Sequence, residues 1–163
     1  MMRWTILLAA ALLAGCASID GSTLQPGKST TKEVTALMGA PSMERKRPNG
    51  DTLLYFARHP WGRQTYVATI GADGVLRGIE QRVTWQNIES IRAGMRKDEV
   101  EDLLGPPREI TRFPRQQRDV WEYPWWHANR EKRVLYVQFS DDGVVRETIE
   151  RHDYQDEPEN SRH

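Results

Sequence analysis

The chain has 163 residues with 23 basic and 23 acidic side chains, so it is formally neutral. A protein that grips nucleic acid shows a basic excess, and the even balance argues against that partner. A single cysteine excludes an internal disulfide, so stability has to come from packing, with aromatic side chains as the main material.

The N-terminus reads as a targeting segment. Arg3 is a positive start, Trp4 to Leu13 is apolar, and Ala14 and Gly15 are small. This is the layout of a signal peptide and its cleavage site. Leu13-Ala14-Gly15-Cys16 has the pattern of a bacterial lipobox, in which the Cys16 sulfur is acylated and Cys16 becomes the new N-terminus. The uncharged stretch from Trp4 to Ile19 is 16 residues, short of the roughly 20 that span a bilayer. Acyl chains bury with about 0.8 kcal/mol per CH₂, and two of them anchor stably. Ala17 and Ser18 follow the cysteine where inner-membrane lipoproteins commonly carry Asp; the resemblance implies the outer membrane, periplasmic side. Residues 1–15 are therefore expected to be removed, and 16–23 to form a lipidated N-terminus and linker.

What remains is a duplication. Lys32-Glu33-Val34-Thr35-Ala36-Leu37-Met38-Gly39-Ala40-Pro41 parallels Asp98-Glu99-Val100-Glu101-Asp102-Leu103-Leu104-Gly105-Pro106-Pro107 at a spacing of 66. Asp73-Gly74-Val75 parallels Asp142-Gly143-Val144 at a spacing of 69. So steady an offset marks a tandem pair of units, 24–82 and 83–152. In each, apolar residues at i, i+3 and i+4 predict a short helix. Thr30-x-x-Glu33 is a capping box for the first. Gly39 and Gly105 end the helices, and Pro41 and Pro107 forbid their continuation.

Three strands follow in each unit. They are Leu53–Phe56, Tyr66–Ile70 and Val75–Ile79 in the first, and Val120–Tyr123, Leu135–Phe139 and Val144–Ile149 in the second. The Asp-Gly pairs are hairpin turns. A short extra helix near Trp85 to Ile91 opens the second unit. The expected class is α+β: two small units, each a helix or helix pair on a three-stranded antiparallel meander. Units of this size bury little alone, so they should pack together or share a sheet. Residues 153–163 are polar and read as a disordered tail.

The second unit carries a Gly94-x₅-Val100-x-x-Leu103-x-Gly105-x-Pro107 run, a Trp121-x-Tyr123 strand and a Phe139-x-x-x-Gly143-Val144 hairpin. Behind a lipobox, this resembles the BamE/SmpA/OmlA family of outer-membrane lipoproteins. The first unit matches at Gly27, Val34, Leu37, Gly39, Pro41, Gly74 and Val75, but has Tyr55 and Phe56 where the family has Trp. The resemblance implies a non-catalytic accessory of the machine that inserts β-barrels into the outer membrane, with partner proteins and anionic lipid as contacts. The typical member has one such unit. Tandem units also resemble the β-lactamase inhibitor protein fold, which implies the alternative of an inhibitor-type module that engages a periplasmic enzyme or lytic factor.

No catalytic pattern appears. His59, His127, His152 and His163 form no HExxH spacing, and no serine lies in Gly-x-Ser-x-Gly. His59 and His127 occupy corresponding connections, but two ligands fall short of the three of catalytic zinc. Neither an enzyme activity, a metal nor a cofactor is expected. The stretches between helix and first strand are basic in both units. Arg45, Lys46 and Arg47, and Arg112 and Arg115 with Phe113 among them, are candidate contacts for partner proteins or anionic headgroups. Trp125 and Trp126 are adjacent, so an extended chain points them to opposite sides. At least one is a candidate contact anchor.

Overall fold

The computed structural model describes residues 20–153. Cys16 and its lipobox, and the tail beyond Asp153, lie outside the described residues.

The first helix, α1 (Thr31–Met38), starts where the sequence asks. The Thr30 backbone N–H donates to Glu33 Oε2 at 2.7 Å, and the Glu33 N–H donates to Thr30 Oγ1 at 3.4 Å. The bonds from Thr30 hold the Glu33 carboxyl below its ordinary range. In the second unit, α2 (Trp85–Ser90) precedes α3 (Lys97–Leu104). Arg96 has no side-chain oxygen to offer, so α3 keeps half of the box: the Arg96 N–H donates to Glu99 Oε2 at 2.7 Å. Val34 and Met38 on α1, and Val100 and Leu104 on α3, are the buried rungs.

Each unit has four strands, not three. The first sheet runs β1 (Met43–Lys46), β2 (Thr52–Ala57), β3 (Thr65–Ile70), β4 (Leu76–Gln81), all antiparallel. The second runs β5 (Glu109–Phe113), β6 (Arg118–Trp126), β7 (Lys132–Ser140), β8 (Val145–His152) in the same order. The extra strands β1 and β5 are the stretches expected to be basic loops. After the helix the chain reverses at Pro41 or Pro107 and pairs with the next strand, Met43 opposite Tyr55 and Glu109 opposite Glu122. Strand β6 also runs past Tyr123 through Pro124. Strand β5 stops opposite Glu122, and a residue without an N–H is tolerated where a strand has lost its neighbour.

The duplication shows in how helix and hairpin are clipped together. Thr30 bridges Val75 in one unit and Arg96 bridges Val144 in the other. The Thr31 N–H donates to Gly74 O at 3.0 Å, and the Lys97 N–H to Gly143 O at 3.2 Å.

Each helix covers one face of its own sheet. Val34, Met38, Leu54, Phe56, Ala68, Ile70 and Leu76 form the first core. The second is larger and includes Val83, Ile88, Ile91, Val100, Leu104, Trp121, Tyr123, Trp125, Leu135, Val137 and Phe139. A third cluster, Leu53, Tyr55 and Val67 with Met43 beside it, lies on the opposite face of the first sheet. That sheet is therefore buried on both sides. Asp153, placed in the tail by its polarity, is instead inside the fold. It is 3 % exposed, because its carboxylate takes Arg63 at 2.7 Å and Arg108 at 3.1 Å. Among the described residues no helix is long and apolar enough to cross a membrane.

Candidate interaction surface

The third cluster is covered by the second unit. At the end of α3 the backbone turns at Gly105 (φ +85°, ψ −169°), and this apex sits on the outer face of the first sheet. A Cβ on Gly105 would lie 2.6 Å from Thr65 Cγ2 and 3.2 Å from Tyr55 Cδ1. Tyr123 donates its buried hydroxyl to Gly105 O at 3.1 Å, which ties the apex to the second core. Burial pushes that phenol well up. His59 Nε2 donates to the neighbouring Pro106 carbonyl at 3.2 Å. Burial, the stronger influence, lowers the His59 pKa; the Pro106 bond opposes it and the Arg108 charge adds to it.

Charge frames this joint. Arg45 pairs with Glu101 at 2.8 Å and also with Asp102, and it donates to the Asp98 carbonyl at 3.1 Å. Arg47 reaches Asp102 at 3.0 Å. On the other side, Arg63 and Arg108 share Asp153, and Arg108 pairs with Glu122 at 2.9 Å. Burial would lower the Arg108 pKa, but Glu122 and Asp153 outweigh it and raise it.

The sequence-predicted contact residues therefore divide. Arg45 and Arg47 are spent on the joint. Arg112 is pinned by Asp119 at 2.8 Å and by Asp141. Lys46 and Arg115 are exposed cations to which no ion pair is assigned among the described residues. Of the two adjacent tryptophans, Trp125 is core: it is 1 % exposed, stacked on Trp85 at 5.9 Å, with His127 edge-on at 5.2 Å. Trp126 faces outward at 40 % exposure, with the Arg63 guanidinium 5.4 Å over its ring. Phe113 is 42 % exposed at the end of β5.

Sequence reasoning missed Trp61, Trp85 and Ile110, all exposed. The signal for Trp61 was its place between Pro60 and Gly62, a turn that holds no core residue. On the outer face of the second sheet Thr111, Phe113, Val120, Tyr136, Gln138 and Ile149 line a shallow groove of about 370 Å³. Nothing in these clefts gathers a nucleophile with a base, and no three His, Cys, Asp or Glu among the described residues converge as metal ligands. Glu131 instead faces His152 at 3.1 Å and His127 at 3.6 Å on the surface. The arrangement is one of packed sheets with exposed aromatic and apolar edges, which is what a contact surface offers.

Residues 81–149 match the family model of the outer membrane protein assembly factor BamE domain. The second unit is similar to a BamE domain. The match takes in α2, α3 and nearly all of the second sheet, and so the Gly105 apex, Trp121 and Tyr123. The first unit, up to residue 80, lies outside the BamE match. No curated protein matches the chain. Similar solved structures include a DUF4309 family protein (YjgB) from Bacillus subtilis subsp. subtilis strain 168. It is 18 % identical over 81 % of this chain and 84 % of that one, with a TM-score of 0.30. Another is a Streptococcus mutans chain named "putative beta-lactamase inhibitor protein". It is 12 % identical over 76 % of this chain and 82 % of that one, with a TM-score of 0.33.

Proposed function

We propose that the protein is a non-catalytic lipoprotein, anchored through Cys16 to the periplasmic side of the outer membrane, that serves as an accessory scaffold in outer-membrane protein assembly. The BamE-domain match at 81–149 carries this reading. The lipobox at Leu13–Cys16 supports the anchor. The partners are envelope proteins, with the barrel assembly machine first among them. Trp126 and Phe113 are the exposed aromatic anchors for such contacts. Lys46 and Arg115 add attraction to anionic headgroups of about 1 kcal/mol each near a charged leaflet.

Two measurements test the proposal. Affinity capture from envelopes should return assembly-machine subunits; capture of a single periplasmic hydrolase would replace the scaffold by an inhibitor. Labelling with a fatty-acid analogue should mark the native chain and not Cys16→Ala. Label retained in that variant would remove the lipid anchor from the reading.

A further inference from the structure

The tether to the proposed anchor is short, and the fold shows which end it leaves. Ala17, Ser18 and Ile19 are all that separate Cys16 from Asp20, the first described residue. Fully extended, that length reaches about 14 Å. From Gly21 on, the chain is fixed to the first unit: a Cβ on Gly21 would lie 2.5 Å from Ile79 Cδ1 and 3.1 Å from Met38 Sδ. Burial raises the Tyr66 pKa and the Asp20 charge adds to it, which puts Asp20 beside that ring. The Arg58 guanidinium lies 5.9 Å over the same ring. Tyr66 is near the start of β3 and Arg58 directly follows β2, so the tether leaves at the end where β2 hands over to β3.

Exposed tryptophans gather at this same end. Trp61 lies in the connection between β2 and β3 and is 96 % exposed. Trp85 opens α2, just after Arg82, whose N–H donates to the Thr65 carbonyl at 2.8 Å. Its half-exposed ring lies 5.4 Å from His127, in the connection between β6 and β7. The two connections are held together, since Arg63 donates to Arg133 O at 3.3 Å and pairs with Asp153. Charge here does not oppose a lipid headgroup: Glu131 is met by Arg133 at 3.0 Å, Asp153 is buried and Arg130 is exposed. The opposite end of the sheets is marked by Lys46 opposite Thr52 and Phe113 opposite Arg118. Along β2 and β6 it is about 17 and 27 Å away at the usual strand rise.

We infer that Trp61 and Trp85 seat in the headgroup layer of the leaflet that carries the Cys16 anchor, and hold the molecule with this end down. The docking rests on the Cys16 anchor of the proposed function, and it moves the lipid contact from Lys46 and Arg115, at the far end, to two tryptophans. Trp joins a large apolar ring to a single N–H and collects at membrane–water interfaces. On an untethered protein an exposed Trp would point as readily to a protein partner. Here the tether decides. It keeps this end within about 14 Å of lipid, so the leaflet is the surface these rings meet at the highest effective concentration. Trp126, at the same end, has its ring under Arg63 and is left to partner proteins. Phe113 then stands at the end away from the lipid.

The test places the full-length lipoprotein in vesicles of phosphatidylethanolamine and phosphatidylglycerol that hold no other protein, with a polarity-sensitive dye on one introduced cysteine. The native chain, whose only cysteine is acylated on this reading, should take no dye. Dye on Trp61→Cys, and on Ala128→Cys in the connection beside Trp85, should shift to the blue and be quenched by lipids spin-labelled near the headgroup. Dye on Gln116→Cys, next to Arg115 at the far end, should report water. Adding Trp61→Ser to Ala128→Cys should remove most of the quenching and leave the urea midpoint unchanged, since Trp61 is almost wholly exposed. Dye uptake by the native chain would remove the Cys16 anchor, and the docking with it. With the anchor intact, three results would overturn the docking alone: dye at Trp61→Cys and Ala128→Cys in water, dye at Gln116→Cys in lipid, or quenching at Ala128→Cys that Trp61→Ser does not change.

Discussion

Gly39 and Gly105 form a matched pair in which backbone strain and contact between the units can be measured separately. Both end a helix with nearly the same backbone, φ +89° and +85°, ψ −169° in each. That region is essentially closed to residues with a Cβ, and holding alanine there costs about 1–3 kcal/mol. At Gly39 a Cβ meets nothing within 4 Å, so Gly39→Ala should cost that strain and no more. At Gly105 it also drives into Thr65 and the Tyr55 ring, and Tyr55 is 0 % exposed and has nowhere to go. Overpacking of this kind adds about 1–3 kcal/mol, so Gly105→Ala should cost roughly 2–6 kcal/mol in all. A domain holds only about 5–15 kcal/mol. Equilibrium urea unfolding, followed by the fluorescence of the buried tryptophans, reads both variants. Thr65→Ser removes the methyl that the new Cβ strikes, and combined with Gly105→Ala it should recover part of the loss, as coupled neighbours do. Equal costs for the two alanines, or no recovery with Thr65→Ser, would refute the seating of the apex on the first sheet.

The other predictions concern single groups. Trp121→Ala should cost about 3–5 kcal/mol in thermal unfolding as a core truncation. Trp126→Ala should cost only about 0.5–2 kcal/mol, the range of a lost cation–π contact with Arg63. Asp153→Ala removes the buried carboxylate that Arg63, 5 % exposed, and Arg108 share. A broken buried pair costs about 3–5 kcal/mol, and a loss near zero in chemical denaturation would place both groups in water. His59 is held below its ordinary 6.5, first by burial. As pH falls, the unfolded chain takes up that proton before the fold does. Stability from this group is therefore full above about 6.5 and is lost as pH drops from there through the folded-state value. Denaturation midpoints between neutral pH and the carboxylate range should fall in the native chain and fall less in His59→Gln. A rise on acidification would reverse the assignment.

Helices, hairpins and the repeat were legible because they rest on local rules: apolar spacing, a capping box, glycines that end a turn. Strands β1 and β5 were not, because Met-Glu-Arg-Lys and Glu-Ile-Thr-Arg-Phe carry little apolar alternation and hold their shape only through the neighbour they pair with. The joint had one sequence signal that went unread. Leu53-Leu54-Tyr55-Phe56 is apolar at every position, and a continuous apolar run marks a strand buried on both faces. What covers it could not be read, since Arg45 meets Glu101 and Asp102 across more than 50 residues of chain. Alternation foretold that Trp125 and Trp126 would part, and it sets Trp125 on the face of Trp121 and Tyr123, where Trp85 stacks on it. Nothing local marks Asp153, whose burial depends on two arginines from different parts of the chain.

The joint makes the two halves unequal in their needs. The outer face of the first sheet is Leu53, Tyr55 and Val67, and it stays dry only under the second unit. The corresponding register positions in the second sheet are Val120, Glu122 and Tyr136, which tolerate water. A chain that began near residue 83 would lose little cover, whereas one that stopped there would show an apolar strip. Synthesis runs in the unfavourable direction. The first unit is made before its lid exists, and its greasy side stays bare until residues 97–109 have been added behind it. Between those two moments Leu53, Tyr55 and Val67 have only water to face.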